Sequence, residues 1–403
     1  MSIDCRTRRY SEIRALKRDE IFDDVLPGAA AVNGALAARG IASSRAKSLA
    51  FTVDGRSVTV GTDGERIVLE QGSENARVEA ELASDALSDL VQDVKSAMGL
   101  AMESRVTIRG GGIPDWICWE PIFRALFDGR PVHEPGSIDF RDQDGQPLDL
   151  SRSFALDDDR EEVAHFMREA GFLHVRSVFT PEEMAEVEED LDGALGEARQ
   201  DDGASWWATD EEGHEQAVRV MNFHRHSVAL QKLLSDDRLQ WLARLTGDGH
   251  DGSKMGAEGL VKPLRIARGL SDLPWHKDCG QGSHSYFCNS MTVGISVTGA
   301  GRANGALGVV PGSHRANIQT ARLDPKIDLE PRMIETATGD LTVHCSDTLH
   351  MSHQPLERIR KVVYTGFRLA PLPGDTRPEE ISREERAALT NVQDRIEGSA
   401  PRS

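Results

Sequence analysis

His276-Lys277-Asp278 sets side chains of the right types at a spacing that could do chemistry. On an extended strand the side chains alternate between faces, so His276 and Asp278 project to one side and Lys277 to the other. An imidazole nitrogen beside a carboxylate oxygen is two thirds of the facial triad that non-haem iron(II) oxygenases use. Such a triplet recurs by chance in many proteins, so it needs a partner. His344, His350 and His353 follow in one stretch, and a one-residue change of strand register decides which of them faces the pair. His314, inside Pro311-Gly312-Ser313-His314, reads as part of a turn. Cys279 and Cys345 stand close by, but the five cysteines (Cys5, Cys118, Cys279, Cys288, Cys345) contain no CxxC pair. They write neither a structural zinc site nor a disulfide scaffold, and these two read as small, partly buried strand residues. Beyond the histidines lie Arg358, Arg360 and Lys361, which serve either as surface ion pairs or as a carboxylate anchor.

These residues need a frame of short strands. Ser290 to Thr298 reads as one, Asn304 to Arg315 combines a turn, a strand and a Pro-Gly stop, and Gly339-Asp340 opens another that leads to His350. After a turn at Pro355 the run Arg360 to Phe367 makes a last strand. Many short strands with Gly/Pro turns suit a jelly-roll barrel, where an early ligand pair and a late histidine meet at the mouth. Upstream, a helix from Asp158 to Glu169 stops at Gly171, and Phe172 to Phe179 reads as a strand. Thr180-Pro181-Glu182-Glu183 then writes a capping box for a helix with Met184, Val187, Leu191 and Leu195 on one face. The acidic stretch Gln200 to Glu215, with Trp206 and Trp207, reads as a solvated loop, with a substrate lid as the sharper alternative.

Over approximately residues 155 to 370 the chain resembles the phytanoyl-CoA dioxygenase family. Trp275-His276-Lys277-Asp278 matches its WHxD, and Asn304 to Arg315 matches its NGxLxVxPGSHR segment. Gly339-Asp340 through His350 and Ser352 matches its GD...HxS, and Arg360-Lys361 falls at its carboxylate-binding arginine. The resemblance implies an all-β double-stranded β-helix with flanking helices and an Fe(2+) ion held by His276, Asp278 and His350. It also implies that Arg360 pairs with the far carboxylate of 2-oxoglutarate, a task suited to a planar guanidinium, with Ser352 as its hydrogen-bonding companion. O2 is then the co-substrate, ascorbate an auxiliary reductant, and hydroxylation with release of succinate the outcome. The carboxylate of Asp278 argues against a related halogenase, in which a small residue leaves room for halide. Two departures stand out: the assisting lysine has only Lys262 as a candidate, and an aromatic residue common after the HxD triplet is replaced near Gly294.

A chain of 403 residues exceeds what one core usually supports. An N-terminal extension over 1–29 is expected to lead into a small α+β domain over 30–132, with a linker at 133–153, the barrel at 154–375 and a tail at 376–403. In the first domain Leu49 to Val53, Val58 to Val60 and Ile67 to Leu69 alternate around turns at Asp54-Gly55 and Asp63-Gly64. Val78 to Leu82 adds a strand, Ser84 caps a helix, Arg105 to Arg109 forms a further strand, and a helix from Pro114 carries Trp116, Trp119, Phe123, Leu126 and Phe127. This order of elements resembles the sterol-carrier-protein-2-like lipid-binding domain, which implies a hydrophobic small-molecule substrate such as a lipid, steroid, polyketide or acyl thioester. The net charge of -19 disfavours nucleic acid and membrane surfaces as partners. With no apolar run long enough to span a bilayer and no apolar signal core, a soluble cytoplasmic protein is expected. The rival functions are a lipid-binding or transfer protein with an inactive barrel and a cupin-like isomerase that leaves 2-oxoglutarate untouched. No oligomeric state is legible.

Overall fold

The computed structural model describes residues 13–251, 256–269, 273–279 and 290–369. Cys5, Cys288, the last residues of the expected barrel (370–375) and the tail lie outside them.

The first unit opens with a helix the sequence reading did not single out, α1 (Arg18–Ser44), rich in alanine. It ends at Arg45, whose left-handed backbone (φ 56°) returns its N–H to Ile41 O. Leu16, Ile21, Phe22 and Leu26 share one core with Ala37, Ile41 and the strands that follow. The domain therefore starts upstream of residue 30, because α1 runs straight through that boundary. By length and composition alone α1 could cross a membrane, and 33% of its most apolar window is buried in this domain. Strands β1 (Leu49–Val53), β2 (Arg56–Thr62), β3 (Ile67–Gln71), β4 (Val78–Leu82) and β5 (Val106–Arg109) form a sheet of order β3-β2-β1-β4-β5. Only β1 and β4 run parallel. The Asp54-Gly55 turn has positive φ at both residues (48° and 75°), as a two-residue hairpin of this hand demands.

Helix α2 (Ser84–Val91) has Ala83 in the capping position, so Ser84 is its first helical residue and not its cap. The expected helix from Pro114 is two helices, α4 (Ile113–Ile117) and α5 (Glu120–Asp128), which follow α3 (Ala97–Met102). Pro121 lacks an N–H for continuous helix pairing and sits instead at the start of α5. Trp116, Trp119 and Phe123 fill the core, with Phe123 5.4 Å from Trp116 and 5.7 Å from Trp119.

In the second unit α6 (Arg160–Ala170) is capped by Asp159 and closed by Gly171 at φ 78°. A Cβ there would lie 2.2 Å from His314 Nδ1, so both the turn and the packing require glycine. Strand β6 (Phe172–Val175) is shorter than expected, because Ser177 turns left-handed and Val178 and Phe179 give their N–H groups to Gly339 O. The Thr180/Glu183 capping box opens α7 (Pro181–Glu197) as read. The Gln200 to Glu215 stretch is not a loop. It contains β7 (Ser205–Asp210) and starts β8 (Glu215–Val220), a hairpin whose Asp210 carboxylate collects the N–H groups of Glu212 and His214. Its acidic composition hid the strands, because they stand near a sheet edge where polar side chains reach water.

Two sheets make the barrel. The larger joins β6, β7 and β8 to β10 (Glu258–Lys262), β11 (Ile266–Arg268), β13 (Met291–Ser296), β16 (Leu341–Cys345) and β18 (Arg360–Leu369) in the order β11-β7-β8-β10-β18-β13-β16-β6, with β9 (His250–Asp251) on β18. The smaller has the order β12-β17-β14-β15, from β12 (Leu273–His276), β14 (Leu307–Val309), β15 (Arg332–Ile334) and β17 (His350–Ser352). Side chains of both meet inside, as a jelly roll requires: Lys262 of β10 and Arg360 of β18 reach Ser352 of β17.

Candidate metal centre

Strand pairing brings the histidines together. His276 ends β12 and lies directly opposite His350 at the start of β17. Asp278 follows two residues later, so its carboxylate reaches the same side. Asp278 Oδ1 stands 3.4 Å from His276 Nε2 and 3.5 Å from His350 Nε2, and the two rings are 4.1 Å apart. All three ligand atoms lie within 4.8 Å of one another. Each histidine Nδ1 is turned to a main-chain carbonyl, that of His276 to Pro274 O at 2.8 Å and that of His350 to Thr348 O at 2.9 Å. A carbonyl only accepts, so Nδ1 carries the proton and Nε2 presents its lone pair to the centre. Two nitrogen lone pairs and a carboxylate oxygen thus converge at separations too long for good hydrogen bonds. The donor set fits a cation between them, three protein ligands on one side with the other side open.

The electrostatics agree. The surroundings strip water from Asp278 and by that alone would raise its carboxyl, although 36% of the side chain reaches solvent. The imidazoles of His350, His276 and His344 crowded around its oxygens outweigh this and hold it well below the usual carboxylate range. Burial, and then repulsion from His344 and His276, pushes His350 well below the ordinary imidazole value, which keeps it a neutral ligand.

Asp278 is held from its other oxygen too. Thr292 Oγ1 donates to Oδ2 at 2.9 Å, and His344 Nε2 lies 3.6 Å from the same atom. His344, which competed for the distal position in the sequence, is thus buried beside the cluster and faces the outer oxygen. His353 is exposed, and its carbonyl accepts from Lys262. His314 is buried away from the cluster with Nε2 on Arg168 O, and burial lowers its pKa to about 3. Cys345 belongs to the apolar core, and neither it nor Cys279 joins a metal-compatible group among the described residues.

Deeper in the barrel Lys262 and Arg360 are direct cross-strand partners, both 2% exposed. Arg360 Nη1 donates to Gly305 O and, at 3.2 Å, to Ser352 Oγ. Lys262 Nζ donates to Ser352 Oγ at 2.7 Å and to the carbonyls of Ser352 and His353. Two buried cations sharing one hydroxyl form a cradle for an anionic group. Arg358 is exposed, and Lys361 points the opposite way to Glu188 and Asp192 of α7, so Arg360 is the inward cation. Lys262, a weak candidate in the sequence, enters the cradle through a strand register that no motif shows. Gly294 has no room for the aromatic residue expected there: a Cβ would lie 2.7 Å from Thr342 Oγ1 and 3.3 Å from the Tyr364 ring.

Comparisons with known proteins locate this arrangement. Residues 167–358 match the sequence profile of the family described as Phytanoyl-CoA dioxygenase (PhyH). A relative described as a probable alpha-ketoglutarate-dependent hypophosphite dioxygenase of Stutzerimonas stutzeri is 26% identical over 215 residues, covering 47% of this chain and 72% of the relative. Among solved structures, EctD of S. alaskensis with 2-oxoglutarate and 5-hydroxyectoine has 17% identity and a TM-score of 0.44, covering 63% of this chain and 96% of that one. AviO1 of Streptomyces viridochromogenes has 21% identity and a TM-score of 0.41, covering 54% and 97%.

Proposed function

We propose that this chain, a 2-oxoglutarate-dependent non-haem iron oxygenase, holds its Fe(2+) through His276 Nε2, Asp278 Oδ1 and His350 Nε2. The observation that carries the assignment is the convergence of these three donor atoms, each histidine fixed from behind by a carbonyl. In the same reading Arg360, Lys262 and Ser352 bind the far carboxylate of 2-oxoglutarate, and Thr292 and His344 restrain Asp278 so that one oxygen faces the metal. Iron(II) with 2-oxoglutarate and O2 supplies the oxidation, in which 2-oxoglutarate leaves as succinate and CO2 and the substrate gains oxygen. The buried cations orient the oxoacid, and its keto-carboxylate end is thereby directed at the open side of the triad.

The substrate in this reading is a small molecule with an apolar body and a polar group. Residues paired across strands share a face, so Arg219, Leu260 and Val362 line the barrel interior together, and Glu258 and Tyr364 stand one step along. The reading of a hydrophobic substrate rests on the resemblance of the first domain to a lipid-binding domain in its order of elements, the meander followed by strand, helices, strand and closing helices. The five cysteines, odd in number and without a CxxC pair, support a reducing, cytoplasmic setting. The rival, an inactive barrel that only binds lipid, is disfavoured by the intact donor set.

The deciding experiment is anaerobic addition of iron(II) and 2-oxoglutarate, with a weak visible charge-transfer band as the expected result. Retention of the band and of succinate formation in both His276→Ala and Asp278→Ala places the metal elsewhere. Oxygen-dependent mass gain across lipid and polyketide fractions then identifies the substrate.

A further inference from the structure

A single segment, Ser313 to Thr320, bonds to the neighbours of all three proposed ligands. Lys277, between His276 and Asp278, is fully buried; its Nζ donates to Ser313 O at 2.8 Å and to Ala316 O at 3.3 Å. Its main-chain N–H donates to Thr320 O at 2.8 Å. Leu349, next to His350, donates its N–H to Ser313 Oγ at 2.7 Å. Val310, Ala316 and Leu349 form a small apolar cluster against which Trp275, the residue before His276, packs.

The same segment is tied to the first domain. Asn317, 3% exposed, donates through Nδ2 to Pro121 O at 2.8 Å and to Arg130 O at 3.1 Å, at the start of α5 and just past its end. Its carbonyl accepts the N–H of His133 at 3.1 Å. Further along, Asp328 accepts from His133 Nε2 at 2.7 Å and from the Gly136 N–H at 2.6 Å.

We infer that Asn317 is a positioning residue that couples the N-terminal domain to the metal centre. The first domain holds Asn317, the segment around Asn317 holds Lys277 and Leu349, and these set the backbone that aims His276, Asp278 and His350. Buried bonds of this kind tolerate little slack, because each carbonyl and each N–H freed by a shift would be left unpaired. The first domain is thus part of the metal site's support as well as a neighbour of it. The inference rests on the ligand assignment above.

The test uses the full chain and iron(II) alone, titrated without oxygen. Asn317→Ala raises the iron(II) dissociation constant roughly tenfold, the loss typical of an outer-shell support. Asp328→Ala, which loosens the same boundary outside the clamp, raises it far less. Lys277→Met weakens iron binding as well, and the double variant Lys277→Met/Asn317→Ala is clearly less than the product of the two, since both act through one path. In the unaltered chain, reciprocity requires iron(II) to slow amide exchange at His133, far from the metal in sequence. An Asn317→Ala protein that melts earlier yet binds iron(II) with wild-type affinity overturns the inference. So do variant effects that simply multiply, or exchange at His133 that ignores iron(II). Loss of the ligand assignment itself reads out separately, as undiminished iron(II) binding in His276→Ala.

Discussion

Among the described residues two groups bring histidine and carboxylates close enough to hold a metal: His276, Asp278 and His350 in the barrel, and Asp210, Glu212 and His214 on the turn between β7 and β8. The elements present are nearly the same and the surroundings are opposite. In the barrel each imidazole is oriented by a carbonyl and the carboxylate is held from its outer oxygen by Thr292. On the turn Asp210 spends its oxygens on the N–H groups of Glu212 and His214 and on the His214 ring, and His214 is 73% exposed. Proximity of ligand types is therefore a poor criterion of a metal site. What separates the two is whether the fold has already met the cost of aligning the donors and has left their lone pairs unused.

The largest effect that tests this contrast is complete loss. His276→Ala or Asp278→Ala abolishes the charge-transfer band and succinate formation, while Asp210→Ala and His214→Ala leave both intact. Activity lost with the turn variants and kept with the barrel variants would reverse the comparison.

Next comes the cradle. Arg360→Ala raises the 2-oxoglutarate concentration needed for half-maximal turnover by the equivalent of about 2 to 5 kcal/mol, with iron(II) affinity little changed. Lys262→Met acts in the same direction. Arg358→Ala, on the exposed turn, is silent, and a large effect there instead would mean the register of the last strand had been misassigned.

Acid sharpens the contrast through burial. His314, with its pKa at about 3, stays neutral in the fold, while the unfolded chain takes up protons near the ordinary imidazole value of 6.5, and burial shifts His350 in the same direction. The unfolded state then binds more protons, so the metal-free protein loses stability as pH falls from 6.5 toward 3, by about 1.4 kcal/mol per unit for His314. The depressed Asp278 carboxyl adds a loss below about 3.8, its ordinary value, as pH falls through its folded value. Urea midpoints across this range check the sign, and His314→Gln flattens the slope.

A smaller effect is expected at the outer oxygen of Asp278. Thr292→Val removes a hydrogen bond to a charged group, which typically contributes about 1.5 to 3 kcal/mol. Iron(II) affinity falls accordingly, and an unchanged affinity would show that Asp278 is held by the metal alone.

The clustering of His276, Asp278 and His350 was legible because strand alternation and local motifs act over a few residues: His276 and Asp278 share a face at spacing two, and Gly339-Asp340, His350 and Ser352 keep a fixed order. The cap at Thr180 and the Asp54-Gly55 turn were legible for the same reason, since each is settled between near neighbours in the chain. Other features depended on what packs against them. Alanine-rich α1 has a weak pattern until its face meets the core, and the hairpin of β7 and β8 looks like an acidic loop until β10 and β11 pair with it.

The sequence by itself determined the chemistry on offer: the ligand types, the inward arginine and the oxygenase barrel that carries them. Tertiary structure decided which histidine completes the set, that Lys262 joins Arg360, and that His344 faces the second oxygen of Asp278. It also decided that Asn317 bridges the two domains. These are pairings between residues far apart in the chain. No local propensity encodes a register between distant strands, which is selected only when the whole set of buried faces and buried polar groups is satisfied at once.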